Sequence, residues 1–191
     1  MASRQDLLLD AAIQVLGSQG IRQLTHRAVD AAAGVPSGST SNHFRTRDAL
    51  LAAVVERFVA RERHGWEAIA HLVQPRTPAE LAAALAAFVR RATGPDRVMT
   101  IARYTLFVEG ALRPALRRQL AETATAIRRW GAEWLAALGA TEPEGACQLL
   151  LDQLDGIMLH ELVAPGTTRD VERRLTELIA AILPERPTQA T

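Results

Sequence analysis

The sequence predicts an all-α protein with about nine helices, and three observations support this fold class. Alanine and leucine dominate the 191 residues, whereas aromatic residues make up only 4%. β-branched residues do not form the runs that are typical of strands. Apolar residues instead recur at helical spacing between proline, glycine and capping signals. With 48% hydrophobic residues, the chain is long enough to bury a core.

The composition excludes several kinds of site. All 22 basic residues are arginine, which rules out a P-loop lysine and a Schiff-base lysine. Cys147 is the only cysteine, so neither an intrachain disulfide nor a cysteine-based zinc site is possible. The net charge of +1 neither indicates nor excludes a nucleic-acid partner, because a balanced chain can carry a local basic patch. Without a signal-peptide pattern or a membrane-spanning apolar run, we expect a cytoplasmic protein with no membrane contact.

Residues 25–47 read as two short helices joined by a tight turn and followed by the start of a long helix. Thr25 is suited to cap the first short helix, and Gly34 accepts the positive φ that a sharp helix–helix corner requires. Pro36 is expected to fix the start of the second. That second helix carries mostly small polar side chains and has little apolar area to bury in its own protein. We therefore expect a helix-turn-helix motif whose second helix enters a DNA major groove.

The other helices follow from capping residues, prolines and apolar stripes. The first is expected from Ser3, as a cap, to Gln19, and the fourth from about 46 to 74. The fifth should start at Pro78 and stop before Gly94. The remaining four are expected from Asp96 to about 112, from 114 to about Leu138, from a capping box at 141–144 to before Pro165, and from about Arg169 to Leu183.

Residues 7–54 contain several residues whose spacings together form one specific pattern. They involve Ala11-Ala12, Gly20, Leu24-Thr25, Ala33-Gly34-Val35, Gly38, His43-Phe44, Arg47 and Leu50. In this pattern the segment resembles the N-terminal DNA-binding domain of the TetR family of bacterial transcriptional regulators. It departs from the family at Thr40 and Ser41, where a hydrophobic residue and a tyrosine are usual, and at Asp30, where a small alanine is common.

The expected DNA contacts fall into positioning and specifying ones. Phosphate contacts are expected from Thr25, Arg27, Arg45 and Arg47. Contacts to base edges are expected from Ser37, Ser39, Thr40, Ser41 and Asn42. Asn42 is best suited to bind an adenine through two bonds. The resemblance also implies that His43 lies near the DNA backbone and Phe44 in the core. The alternative is that the Ser and Thr side chains merely cover an exposed short helix.

The eighth predicted helix is apolar around most of its circumference, so it must be buried on more than one side. A homodimer through the eighth and ninth helices would bury it, as the resemblance also implies, and would place two heads on a palindromic operator. The alternative is a central helix in a monomer. The resemblance further implies repression and release by a small-molecule effector. It divides the chain into a DNA-binding domain (1–47), a ligand-binding and dimerisation domain (48–184) and a tail (185–191), with the fourth helix connecting the first two.

An effector pocket needs apolar walls and a few polar groups. The candidates are Tyr104, Phe107, Trp130, Trp134, Gln153 and His160. Each aromatic is more often an ordinary core residue, and a single histidine is more often a hydrogen-bonded one. No cofactor or metal is expected, and no HExxH, GxSxG, GxGxxG or P-loop motif supports an enzyme. A helical adaptor or scaffold is the other alternative, but it would leave the exposed polar helix without a purpose.

Overall fold

The computed structural model of the protein describes residues 3–166 and 170–183, except for the side chains of residues 68, 70–72 and 123. In these ranges the chain forms nine α-helices and one 3-10 helix and contains no strand, which confirms the predicted all-α class. The α-helices are α1 (Arg4–Gln19), α2 (His26–Ala32), α3 (Ser39–His43), α4 (Arg47–Leu72), α5 (Pro78–Thr93), α6 (Arg97–Leu112), α7 (Pro114–Ala137), α8 (Pro143–Val163) and α9 (Val171–Ile182), and the 3-10 helix is Ile21–Gln23.

Four predicted helix starts are confirmed by their side-chain caps. Ser3 forms a reciprocal capping box with Asp6, in which each side chain accepts the other residue's N–H at 3.0 Å. The hydroxyls of Thr25, Thr46 and Thr77 accept N–H groups from the first turns of α2, α4 and α5. Such bonds satisfy N–H groups that have no partner within the helix.

One predicted helix start and one predicted cap were wrong. The second short helix begins at Ser39 and not at Pro36. Pro36 instead begins a turn, in which its carbonyl accepts the Ser39 N–H at 3.2 Å. At α8 the N-cap is Glu142, with no side-chain capping bond, so Thr141 does not form the expected capping box. The ninth helix begins at Val171; its predicted start at Arg169 and the predicted tail at 185–191 lie outside the described residues.

The contacts divide the chain into two compact units. The first contains the residues up to 67 together with 95–124, and the second contains 68–94 and the residues from 125 onward. Helices α4 and α7 each contribute residues to both. These units are defined by contacts between residues and do not correspond to functional domains. The predicted division into a DNA-binding domain and a ligand-binding domain at residue 47 therefore stays a prediction. None of the helices described is both long and apolar enough to cross a membrane.

In the first unit, one hydrophobic core joins α1, α2, α4, α6 and the start of α7. Leu8 and Leu16 of α1, Phe58 of α4 and Leu106 of α6 are all essentially inaccessible to water. In the second unit, α9 packs against α5 and α8 and buries Leu175 and Ile179. The first core is the foundation of the two short helices, because Val29 of α2 and Phe44 after α3 belong to it.

Helix α6 lies close to the backbone of α1 at Gly17. A Cβ atom at Gly17 would collide with the carbonyl oxygen of Val98 and come within 2.7 Å of the Val98 Cγ1 atom. Because one of these atoms belongs to backbone, it cannot move aside as a flexible side chain could. The α1–α6 contact therefore requires glycine at this position.

We expect Gly17→Ala to lower the free energy of unfolding by about 2 kcal/mol, because the added methyl group overpacks a tight contact. Gly65→Ala is the matched control, since Gly65 lies within α4 and has open space around its Cα. There, alanine should stabilise the helix by roughly 0.5–1 kcal/mol. Urea unfolding of both variants measures the difference. Equal stability of the two variants would show that the contact tolerates a side chain.

Candidate nucleic-acid interface

The corner between α2 and α3 is set by the way α2 ends. The Val35 N–H donates to the Asp30 carbonyl at 3.0 Å, and the Gly34 N–H donates to the Ala31 carbonyl at 3.2 Å. Gly34 has a φ of 63°, the left-handed conformation that this pair of bonds requires and that glycine adopts without steric cost. The corner predicted at Gly34 is confirmed.

Helix α3 is only five residues long, and its N-cap, Gly38, offers no side-chain cap. The cap comes instead from α2. The Asp30 carboxylate accepts the N–H groups of Gly38 at 2.8 Å and Thr40 at 2.7 Å, and also the Thr40 hydroxyl at 2.5 Å. Asp30 is 3% exposed and Thr40 is fully buried. One buried carboxylate thus holds the first turn of α3 against α2.

The surroundings of Asp30 keep this carboxylate charged. Burial alone would raise the pKa of Asp30, but the hydrogen bonds from Thr40 and Gly38, with a smaller contribution from His26, lower it overall. A negative charge at the first turn of a helix also interacts favourably with the helix dipole. The carboxylate is therefore a stable anchor and not a group free to bind ligands.

This arrangement revises the role expected for Thr40. Its hydroxyl donates to Asp30 and its side chain is buried, so it faces the interior and not a base edge. The departures noted at positions 30 and 40 are two halves of one polar contact. A sequence pattern does not connect the two positions, because they lie ten residues apart on different helices.

The opposite face of α3 and the turn before it remain accessible. Ser37, Ser41, Asn42 and His43 are exposed, and Ser39 is half-buried. The Ser41 hydroxyl donates to the Gly38 carbonyl at 2.9 Å, and that of Ser39 donates to the Pro36 carbonyl at 2.7 Å. For Ser37 and Asn42, both within the described range, the structure shows no side-chain hydrogen bond. The two side chains can therefore make new polar contacts without breaking old ones.

Exposed arginines lie before and after this face along the chain. Arg27 at the start of α2 and Arg45 before α4 are exposed, as is Arg22 in the 3-10 helix. The guanidinium of Arg4 comes within 3.5 Å of the Ser39 hydroxyl oxygen. Sequence reasoning did not single out Arg4 or Arg22.

The local charge balance could have revealed Arg22, because residues 11–47 contain four arginines and one acidic residue, Asp30. The nearby acidic residues of α1 are engaged elsewhere. Asp10 contacts Arg57 at 2.8 Å and Arg61 at 3.0 Å, and Asp6 contacts Arg57 at 3.1 Å. The bond from Arg57 keeps the pKa of Asp10 below its usual value. Since Asp30 is buried, positive charge dominates the exposed face of the motif.

Arg47 and Phe44 anchor the end of the motif. Arg47 donates from Nη2 to the Ile21 carbonyl at 2.7 Å and from Nε to the Leu24 carbonyl at 3.4 Å, and so ties α4 to the 3-10 segment. Phe44 lies in the core, as expected, and its carbonyl is 2.7 Å from the His26 Nε2 atom. His43 is exposed. Arg47 thus supports the structure with two of its nitrogens.

The chain matches two sequence profiles. Residues 8–54 match the profile described as bacterial regulatory proteins of the TetR family. Residues 76–185, more than half of the chain, match the profile described as tetracyclin repressor-like, C-terminal domain. The chain belongs to the TetR family. Its members are DNA-binding regulators and not enzymes, which removes the enzyme alternative.

Solved structures agree with this assignment to the TetR family. A transcriptional regulator from Rhodococcus sp. Rha1 is 25% identical, with a TM-score of 0.77 over 94% of this chain and 96% of that one. A TetR family member from Streptomyces coelicolor A3 is 33% identical, with a TM-score of 0.68 over 96% and 99%. The multidrug binding protein EbrR, complexed with ethidium, is 32% identical, with a TM-score of 0.68 over 95% and 99%. The search of curated proteins gave no match.

The residues predicted to line an effector pocket fall in both units of this TetR family chain. Tyr104 and Phe107 of α6 belong to the first unit and pack edge to face, with ring centroids 6.4 Å apart. Trp130 and Trp134 of α7 belong to the second, with centroids 4.1 Å apart. All four rings are partly exposed. Their role as pocket walls stays a prediction.

The two polar candidates lie on α8. Gln153 is partly exposed, whereas His160 is exposed and its Nδ1 atom lies 2.7 Å from the Gly156 carbonyl oxygen. The second unit also contains a groove of about 490 Å³ between the end of α7 and the start of α8. The groove is lined by Thr125, Arg128, Arg129, Ala132, Glu133, Ala136, Pro143 and Glu144. None of the six predicted residues lines it.

We expect Arg47→Ala to destabilise the first unit by about 1 kcal/mol, because it removes charged hydrogen bonds to the backbone carbonyls of Ile21 and Leu24. Arg45→Ala is the matched control, since Arg45 is a neighbouring exposed arginine for which the structure shows no contact. It should leave the free energy of unfolding within about 0.5 kcal/mol of the parent protein. Thermal unfolding without DNA separates the two. If both variants unfold like the parent, Arg47 has no structural role.

Proposed function

We propose that this TetR family regulator is a repressor that binds a palindromic operator as a homodimer and releases it on binding a small-molecule effector. The observation that carries the proposal is the exposed polar face of α3, which a buried contact with Asp30 fixes from behind and which has exposed arginines before and after it in the chain. A helix-turn-helix of this form places its second helix in the major groove. We place the protein in the cytoplasm, where its operator would be.

On the operator, Asn42, Ser37 and Ser41 read base edges. Asn42 can bind the N6 and N7 atoms of an adenine together, and the serine hydroxyls can donate or accept. The half-buried Ser39 contributes through its remaining hydrogen-bonding capacity. Because α3 contains no arginine, the bidentate readout of guanine is not available to it.

Arg27 and Arg45, with Thr25, His43 and the remaining guanidinium N–H groups of Arg47, contact phosphates. Arg22 and Arg4 add to this set from the 3-10 helix and the start of α1. The salt dependence of binding follows the number of phosphates neutralised, so these residues supply affinity for any sequence. Readout of sequence is left to α3.

Helices α8 and α9 form the dimer interface. Leu149 is 56% exposed, Leu159 48% and Val163 79%, although all three are large and apolar. Their spacing places them on one side of α8 together with Gly156, around whose Cα there is open space. A glycine in this position allows a partner helix to approach the backbone closely. A second copy of the chain would remove this apolar stripe from water.

The effector is a small molecule bound among the helices that follow the DNA-binding motif. The similarity to EbrR, described as a multidrug binding protein and solved with ethidium, supports this part of the proposal. We retain Tyr104, Phe107, Trp130, Trp134, Gln153 and His160 as candidate contacts. Binding must favour the conformer that does not hold DNA, since a ligand shifts an equilibrium only by its differential affinity.

Selection of bound DNA from a random pool, at two stated salt concentrations, tests the proposed function. We expect a palindromic motif with two half-sites centred about 10 base pairs, or a multiple of this, apart, because a two-fold dimer presents two recognition helices. Absence of enrichment at low salt would favour the scaffold alternative.

Asn42→Ala should weaken operator binding by about 1–3 kcal/mol and relax one base position, because it removes a direct base contact. Arg27→Ala should weaken operator and random DNA alike and reduce the salt slope by about 1 per subunit. Titrations of both DNAs against salt measure these effects. Gln14→Ala and Arg63→Ala are matched controls, since both residues are exposed and lie outside the motif. Equal losses on operator and random DNA for Asn42→Ala would contradict base readout.

Leu159→Glu should convert the dimer to a monomer by placing a charge in the apolar interface. It should also weaken operator binding by at least about tenfold, because one head reads only one half-site. Val108→Glu on α6 is the control, since Val108 is also a large apolar residue, 62% exposed, but outside the proposed interface. Sedimentation equilibrium measures the assembly state. A dimeric Leu159→Glu variant would place the interface elsewhere.

A further inference from the structure

Helix α3 cannot maintain its own conformation. An isolated helix shorter than about 12 residues is marginal in water, and α3 has five. At its first turn the Asn42 N–H donates to the carbonyl of the N-cap, Gly38. At its last turn the Phe44 N–H donates to the Thr40 carbonyl. Its direction must therefore be set by contacts with other helices.

Asp30 supplies the polar part of those contacts. Its carboxylate bonds to two N–H groups and one hydroxyl at the start of α3, and its own carbonyl accepts the Val35 N–H that closes the turn. The same residue thus fixes the end of α2, the turn and the beginning of α3. Hydrogen bonds depend steeply on angle as well as distance, so several bonds to one buried group define a direction.

We propose that Asp30 is a positioning residue for sequence recognition, whose carboxylate sets the direction in which α3 presents Asn42 and its neighbours to base edges. This inference rests on the proposed function. Asp30 touches no base itself, because it is buried behind α3. Its effect passes through Thr40 and Gly38.

The residues proposed to bind phosphates do not depend on Asp30, whereas the direction of α3 does. Arg27 lies at the start of α2 and Arg45 after α3, and neither contacts Asp30. Loss of the carboxylate therefore leaves the phosphate-binding charges in place while α3 loses its fixed direction. Bidentate contacts to a base tolerate little misalignment, whereas phosphate contacts by long arginines tolerate more. Specific binding should fall, and non-specific binding should not.

The sign of the electrostatic effect distinguishes a positioning role of Asp30 from a simple effect of its charge. Removing a negative charge near DNA would, by charge alone, strengthen binding to every sequence. A loss of operator affinity in Asp30→Ala or Asp30→Asn therefore cannot be a charge effect. Glu56→Gln is the matched control, because Glu56 is an exposed acidic residue of α4 for which the structure shows no ion pair.

We expect Asp30→Ala to weaken operator binding by at least about tenfold while binding to random DNA changes by less than about threefold. Asp30→Asn should act in the same direction. Thr40→Val should have a smaller effect, because it removes the hydroxyl bond and leaves both N–H bonds to the carboxylate. Glu56→Gln should leave the ratio of operator to random affinity unchanged. Titrations are made at a temperature where each variant is folded, as checked by its unfolding curve.

Amide hydrogen exchange without DNA gives an independent readout. The N–H groups of Gly38 and Thr40 should exchange faster in Asp30→Ala, whereas Thr40→Val should keep most of their protection. If Asp30→Ala does not fold, Thr40→Val carries the test, with an expected loss of about threefold in the ratio of operator to random affinity.

An unchanged affinity ratio in all the folded Asp30 and Thr40 variants would overturn the inference, and so would equal losses on both DNAs. Failure of the parent protein to select any DNA would instead contradict the proposed function. The two failures are therefore distinguishable.

Discussion

The shortness of α3 is the constraint on which the DNA-binding motif depends. Five residues cannot hold a helical conformation, so the surrounding structure has to do so. Asp30 fixes the start of α3, Phe44 anchors its end in the core, and Arg47 ties the following helix to the 3-10 segment. Beneath them, the contact between Gly17 and Val98 brings α6 against α1 and completes that core. Together these contacts hold the motif so that the polar face of α3 stays exposed.

The charged residues around the motif leave its exposed face positive. A net charge of +1 says nothing about DNA, yet three acidic residues near the motif, Asp6, Asp10 and Asp30, are engaged away from its exposed face. Asp6 and Asp10 face Arg57 and Arg61, and Asp30 is buried under α3. What remains at the surface is arginine, a cation at every physiological pH. A globally balanced protein can therefore present a locally positive face.

Much of this structure could be predicted from the sequence, because the signals were local. The capping residues Ser3 and Thr25 act within one helical turn, and the glycine corner acts within one turn of chain. Thr40 was assigned to the exposed face because a one-dimensional pattern cannot show that a small polar residue has a buried partner on another helix. For the same reason the sequence marks Asp30 as a departure from the family pattern but does not show its role. The capping role expected for Thr141 failed because Glu142 occupies the N-cap. The effector contacts depend on long-range packing that no local pattern encodes.

The Asp30–Thr40 contact also bears on how such regulators can be re-engineered. A recognition segment is often treated as a module that can be exchanged between relatives. In this protein residues 37–43 depend on a carboxylate outside them, and position 30 depends on them in return. Grafted into a scaffold with an apolar residue at the equivalent of position 30, the segment would leave a buried hydroxyl and N–H groups without their acceptor. The transferable unit is therefore the whole stretch from α2 to the end of α3.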